Sequence, residues 1–364
     1  MRILMFTRHG NLGANSRYRF LQYISLLEKA GHEVDVRSML DDEYLKIVYL
    51  SGRKGSRHTL RGYLRRLGQL RGIRNSDVVL CDQEFLPYFP AAVETLIADR
   101  CPRLILDYDD AAYFKYLNSR WFRNRIPVLM AAAESVVAGN RHLAEFARRY
   151  SRNVYLVPTV VDTSRYSPKT SYAAPHGIRL TWIGTPQTVR FLKPITHVLR
   201  ALRERHPSLR LRLIGSGTSV CRALPFAEVV EWSESTETRL LAECDVGLMP
   251  LPDNEFTRGK CGLKLIQYMA AGLPVIGSSV GANCDIVSHG HDGYLVSEPQ
   301  EWFAALERLI TGEDLRSEFG RNGVEKVRQS YSLERGFEAW MNVLDSAPRG
   351  TSDSVNSTAI ALGS

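Results

Sequence analysis

The sequence predicts an α/β fold built as two doubly wound, Rossmann-like domains that face each other across a cleft. Strand and helix patterns alternate through the first half of the chain. An aperiodic stretch, PTVVDTSRYSPKTSYAAPHG (158–177), interrupts the alternation, which then restarts and runs to residue 345. A chain of 364 residues suits two domains of roughly 150 to 180 residues each, and a βαβα order argues for parallel sheets.

In order, MRILMFT reads as a buried strand, and RYRFLQYISLLEKAG reads as a helix stopped by Gly31. HEVDVRS alternates Val34 and Val36 with polar neighbours, the period of a strand. SDVVLCD (strand), PAAVETLIADR (helix) and RLILDYDD (strand) follow, then a longer helix over roughly Trp121 to Ala138, although VVA at its end is strand-like. HLAEFARRY (helix) and NVYLVPT (strand) close the first half. After the break come IRLTWIGT, LRLRLIGSG, AEVVEW, DVGLMPL and LPVIGS as strands, with FLKPITHVLRALRERH, TETRLLAEC, the helix after Gly262, WFAALERLITG and LERGFEAWMNVLDS as helices. This organisation gives a first domain at 1–165, a linker at 166–177, a second domain at 178–330 and a C-terminal helix at 331–346. The polar, small-residue tail 347–364 is expected to be disordered.

Composition excludes several classes. The six cysteines form no CxxC pair and read as reduced thiols of a cytoplasmic protein. The apolar run before Thr7 is too short for a signal peptide, and no uncharged apolar run is long enough to span a bilayer. The net charge of +8 is unevenly placed: nine basic residues and no acidic one lie between Lys46 and Arg74. Within that segment Leu60, Tyr63, Leu64, Leu67 and Leu70 fall at helical spacing among arginines. Such a helix suits an anionic membrane surface or simply packs on its own domain. No zinc-finger, KH or RRM signature accompanies it, so a nucleic-acid partner is not expected.

GKCGLKLIQYMAAGLPVI (259–276) carries the most chemistry. A helix starting near Gly262 places Lys264 and Gln267 one turn apart. Free N–H groups and the helix dipole, with Lys260 and Lys264, make an anion site suited to a diphosphate. A lysine in a first turn opposes the dipole and costs stability unless an anion balances it.

This segment resembles the donor-site motif of retaining GT-B glycosyltransferases of the group 1, or family 4, type. WIGTPQT, VGANCDIVSHGHDGYLV and AGNRHLAEFARRY followed by VPTVVD extend the resemblance over roughly residues 1–345. The family motif carries two glutamates; aligned on MAAGLPVI, their positions hold Gly259 and Gln267. The resemblance implies that Gln267 holds the donor ribose in place of a glutamate, and that Gly259 cannot replace the sugar-contacting one. A Lys-rich subset acting in cell-surface polysaccharide assembly is the nearer match. The resemblance also implies a nucleoside diphosphate sugar as substrate, no cofactor and no metal. Lys260 and Lys264 would then stabilise the leaving diphosphate electrostatically, with Arg190 as a third contributor or a plain surface residue.

RLILDYDD ends a strand with three carboxylates where an α/β crevice opens. Asp109 and Asp110 are assigned to orienting the acceptor hydroxyl, Asp110 serving equally well as a helix cap. The loop TRHGNLGANSRYRF brings His9, Arg17 and Arg19 near the cleft, the arginines being either ligands or surface charge. Asn140 lines the cleft or caps the next helix. His289 and His291 lack partners at metal spacing. The expected acceptor is a glycan, lipid-linked at the inner face of the cell membrane, because RWFRNR and the basic segment suit that surface. A nucleotide-sugar 2-epimerase and a catalytically silent sugar-nucleotide-binding protein are the alternatives.

Overall fold

The computed structural model describes residues 1–51, 55–218 and 222–346, the side chains of 49–51 excepted. Cys221 and the tail 347–364 lie outside the described residues. The first sheet contains β1 (Arg2–His9), β2 (Glu33–Leu40), β3 (Val78–Asp82), β4 (Leu104–Tyr108), β5 (Ser135–Ala138) and β6 (Val154–Leu156), in the order β2-β1-β3-β4-β5-β6. The second contains β7 (Arg179–Ile183), β8 (Arg210–Ile214), β9 (Ala227–Val230), β10 (Val246–Met249), β11 (Val275–Ser278) and β12 (Gly293–Val296), in the order β12-β11-β10-β7-β8-β9. Every strand pairing in both sheets is parallel. Buried β-branched and aliphatic runs explain this: strands covered by helices on both faces need no polar alternation. In β3, Val78, Val79, Leu80 and Cys81 are all buried.

Several elements differ from the sequence reading. The helix expected over 121–138 is a short helix, Arg125–Ala132, followed by β5. Ser135–Ala138 is a four-residue, fully buried strand between β4 and β6. A continuous apolar run of that length has no period separating strand from buried helix. RYRFLQYISLLEKAG forms two short helices, Ala14–Arg19 and Ile24–Lys29, joined by a 3₁₀ turn at Leu21–Tyr23. The strand β12 and the helix Glu313–Ser330 were not anticipated from the sequence.

The helix Ser56–Gln69 turns its less apolar side inward. It buries Gly62 and Arg66, and leaves Leu60, Leu64 and Leu67 exposed at 62%, 61% and 46%. Gly62 allows the close approach, because a Cβ there would lie 2.7 Å from the Leu40 side chain and 3.1 Å from Met39 O. Arg66 donates to Thr7 O and to Arg37 O at 2.8 Å, so its charge is solvated by carbonyls inside the fold.

The C-terminal helix Leu333–Asp345 returns to the first domain. Trp340, Val343 and Leu344 join a core with Ile3, Met5, Phe20 and Tyr23. Arg103 fixes its end by donating to Val343 O, Leu344 O and Ser346 O at 2.5 to 2.9 Å.

Candidate active site

The C-terminal ends of both sheets open onto one cleft of about 1080 Å³. The loops after β1, β3 and β4 line it from the first domain; those after β7, β8, β9 and β10 line it from the second. This is where parallel α/β sheets place ligands, and the volume suits a nucleotide sugar.

On the second domain the helix Leu263–Ala270 points its start into the cleft. Gly262 precedes it with φ +68°, and a Cβ there would fall 2.1 Å from Ile286 Cδ1. The left-handed backbone therefore requires glycine here, and Ile286 would have to move for any side chain. Among the described residues no side chain caps this end, which leaves its first N–H groups free beside the cleft. Lys264 stands one residue inside. Its ammonium lies 5.4 Å from the centre of the Trp182 ring and makes no ion pair among the described residues. Burial and the neighbouring Lys260 push it down to about 8. Lys260 is partly neutralised, with Nζ 3.5 Å from Asp110 Oδ2 and over the Phe256 ring at 4.5 Å.

On the first domain, Asp109 Oδ1 accepts hydrogen bonds from Gln83 Nε2 at 3.1 Å and Asn15 Nδ2 at 3.3 Å. Asn15 also donates to Asp82 Oδ1 at 2.9 Å. Burial, then the Asp109 charge, pushes the Asp82 carboxyl up to about 7. Gln83 holds φ +63°, a left-handed conformation strained for a residue with a Cβ. Asp110 caps locally, accepting from Ala111 N at 2.9 Å, while its other oxygen faces Lys260. Burial raises its pKa, and Lys260 opposes that rise. His9 lines the same wall, stacked on Tyr44, and burial beside Arg8 pushes it down to about 3, which keeps the ring neutral. Among the described residues no three His, Cys, Asp or Glu side chains converge to hold a metal ion.

Several expected roles do not match the placement. Gln267 is buried, and its amide nitrogen donates to Glu237 Oε1 at 2.8 Å and to the Tyr18 hydroxyl at 3.0 Å. Its donor group is thus spent inside the protein. Tyr18 donates to the same Glu237 oxygen at 2.7 Å, and Trp232 Nε1 donates to Oε2 at 2.5 Å. A carboxylate does stand next to the motif, then, but it comes from the helix Glu237–Ala242. Arg17 lines the cleft as expected but is nearly buried, its guanidinium 4.9 Å from the Trp232 ring centre and 3.9 Å from Glu237. Arg19 borders the cleft, yet its guanidinium forms a buried bidentate pair with Asp107 and is not available to a ligand. Asn140 caps the helix Arg141–Ala147 through Leu143 N, and its amide donates to Arg258 O and Lys260 O. It straps the two domains together and does not line the cleft. Arg190 is exposed outside the cleft, its guanidinium 5.4 Å from the Phe191 ring centre.

Gly259 presses against Ala111 of the first domain: a Cβ there would lie 2.7 Å from Ala111 Cβ and 2.9 Å from Ala111 N. The absent glutamate is a packing requirement, because no side chain fits between the domains at that point. Glu237, Asn15, Asp82 and Arg8 all line or border the cleft without having been singled out. Glu237 sits in TETRLLAEC, a stretch that reads as an ordinary solvated helix start.

Two facing six-stranded parallel sheets with the cleft between their strand ends define the GT-B fold. Residues 179–312, most of the second domain, match the family model described as glycosyl transferases group 1. A D-inositol 3-phosphate glycosyltransferase of Actinosynnema mirum is 28% identical over 214 residues, covering 51% of this chain and 50% of its own. N-acetyl-alpha-D-glucosaminyl L-malate synthase of Bacillus anthracis is 26% identical over 136 residues, 35% of this chain and 34% of that one. The chain thus spans about half the length, or less, of these curated relatives. Among solved structures, sucrose-phosphate synthase from Thermosynechococcus elongatus superposes with a TM-score of 0.71 at 15% identity, over 94% of this chain and 98% of that one. Anabaena HepE in complex with UDP-glucose gives 0.67 at 15% identity, over 95% and 100%.

Proposed function

We propose that the protein is a glycosyltransferase that moves a sugar from a nucleoside diphosphate donor to a hydroxyl of a glycan acceptor. The observation that carries this reading is Lys264: a cation without a counter-ion among the described residues, at a helix start that none of them caps, inside a nucleotide-sized cleft. Such a group is held at a cost that a diphosphate relieves. The UDP-glucose bound by HepE, and the sugar transfer named in the relatives, support a uridine diphosphate sugar as the first donor to try.

On this reading Lys264, Lys260 and the helix N–H groups bind the diphosphate and stabilise the charge that develops as the glycosidic bond to phosphate breaks. No metal is required for that role, and the reaction retains anomeric configuration, as the motif's resemblance implies. Asp109, aimed by Asn15 and Gln83, orients the acceptor hydroxyl from the first domain. The acceptor is lipid-linked, in cell-surface polysaccharide assembly at the inner face of the membrane.

A thermal-shift panel of nucleotide sugars, followed by donor turnover with and without a lipid-linked glycan pool, tests the reading. A nucleoside diphosphate sugar should raise the melting point by stabilising only the folded state, and released nucleotide should depend on acceptor. Conversion of the donor alone would establish the epimerase, and binding without turnover on any acceptor would establish a silent binder.

A further inference from the structure

The helix Ser56–Gln69 shows its leucines to solvent. Leu60, Leu64 and Leu67 recur at i, i+4 and i+7 and form one continuous outward stripe. Arg57, Arg61 and Arg71 flank it, and none of them makes an ion pair among the described residues. Arg65 pairs with Asp41 at 2.7 Å, and Arg66 is spent inside the fold. The inward side does not need the leucines, since Gly62 and Arg66 already seat the helix on β2.

A second apolar outcrop is joined to this helix by contacts. Tyr63 donates to Pro87 O at 2.7 Å and packs on Phe89. Tyr88, 51% exposed, packs on Tyr116, which packs on Phe122. Next to Phe122, Trp121 is 89% exposed between the exposed residues Arg120 and Arg123. A bare tryptophan and a leucine stripe, both among unpaired arginines, match an interface whose centre is apolar and whose rim is anionic. A bilayer containing acidic lipids has that profile, and a protein partner would need an acidic rim around an apolar groove. The location also fits, since Tyr63 packs on the cluster containing Leu45, which lines the cleft.

We infer that the outward face of the helix Ser56–Gln69, with the Trp121 loop, docks the first domain on an anionic lipid bilayer. The inference deepens the lipid-linked-acceptor reading and rests on it only for its purpose, because docking is measured without donor or acceptor. The full chain is sedimented with vesicles of phosphatidylcholine alone and of phosphatidylcholine with phosphatidylglycerol. It should pellet only with the second, and high salt should release it. The Arg57→Ala/Arg61→Ala variant should bind roughly 25-fold more weakly, about fivefold per arginine near the surface. The Leu60→Ser/Leu64→Ser/Leu67→Ser variant should lose at least about tenfold. Both alter exposed side chains and should keep the parent melting point and nucleotide binding. Equal pelleting with neutral vesicles, or parental binding by either variant, overturns the inference. So does a dimer in sedimentation equilibrium that the leucine variant dissociates, which would make this face a contact between two copies.

Discussion

Replacing Lys264 by methionine removes the cleft's one lysine without a hydrogen-bonded or ionic partner among the described residues, and keeps an unbranched apolar side chain in its place. A hydrogen bond to a charged group contributes about 1.5–3 kcal/mol, so Lys264→Met should weaken UDP binding roughly 10- to 150-fold. The parent protein should add a pH signature. With the ammonium pushed down to about 8, it is about nine-tenths protonated at pH 7 and about one-tenth at pH 9. A bound diphosphate retains the proton, so the dissociation constant should rise toward about tenfold per pH unit above pH 8. Phosphate itself contributes nothing there, since its last proton leaves near pH 6. The sign for folding is opposite. The folded pKa lies below the unfolded value, so the charged lysine costs stability below pH 8, and that cost fades as pH rises above it. The ligand-free Lys264→Met protein should therefore melt higher at pH 7, by roughly 2–4 °C for each kcal/mol relieved. Calorimetric titration with UDP at pH 7, 8 and 9, and melting of both proteins, measure all three effects. Parental affinity in the variant, or a pH dependence that survives the substitution, would refute the assignment of Lys264 to the diphosphate.

Restoring the glutamates of the related motif should harm this protein. Gly259→Glu forces a side chain against Ala111 and should cost about 1–3 kcal/mol in overpacking, seen as a lower melting point with no gain in turnover. Gln267→Glu sets a second carboxylate against Glu237 where an amide now donates at 2.8 Å, so it should destabilise more than Gln267→Ala does. Tighter nucleotide binding by Gln267→Glu would show that residue 267 reaches the ribose after all. Asp82→Asn should raise the melting point at pH 8 and leave it nearly unchanged near pH 4. The Asp82 carboxyl is pushed up to about 7, so its ionisation costs stability that grows from the unfolded pKa near 4 up to pH 7. A pH-independent difference between the two proteins would place its proton elsewhere.

The alternation of buried strands and helices made the two-sheet architecture legible, because parallel strands read as short apolar runs between helical periods. The register of β5 was not legible: SVVA carries no period that a buried helix lacks. At the site, Lys260 and Lys264 were visible because lysines at a helix start contradict the dipole and demand a reason. The internal partners of Gln267, which lines the cleft, were not legible because Tyr18 and Glu237 lie 249 and 30 positions away. The pairing of Arg19 was hidden for the same reason, since its buried partner Asp107 lies 88 residues on. Charges satisfied by distant partners look free in a sequence. The leucines of the helix Ser56–Gln69 show the converse, since an apolar stripe at helical spacing says nothing about which way it faces.

The return of the last helix to the first domain makes that domain's assembly depend on the far end of the chain. Ile3, Phe20 and Tyr23 complete their core only when Trp340, Val343 and Leu344 arrive, more than three hundred residues later. During synthesis the first domain leaves the ribosome with that face uncovered, and it stays uncovered until the second domain has been made. A fragment ending at residue 165 should expose this surface and aggregate, whereas one that also supplies residues 331–346 in trans should be rescued. The same closure makes the chain cross between the domains twice, in the connector before β7 and again near Ser332, which bridges to Val161, so any opening of the cleft bends the chain at that pair of crossings.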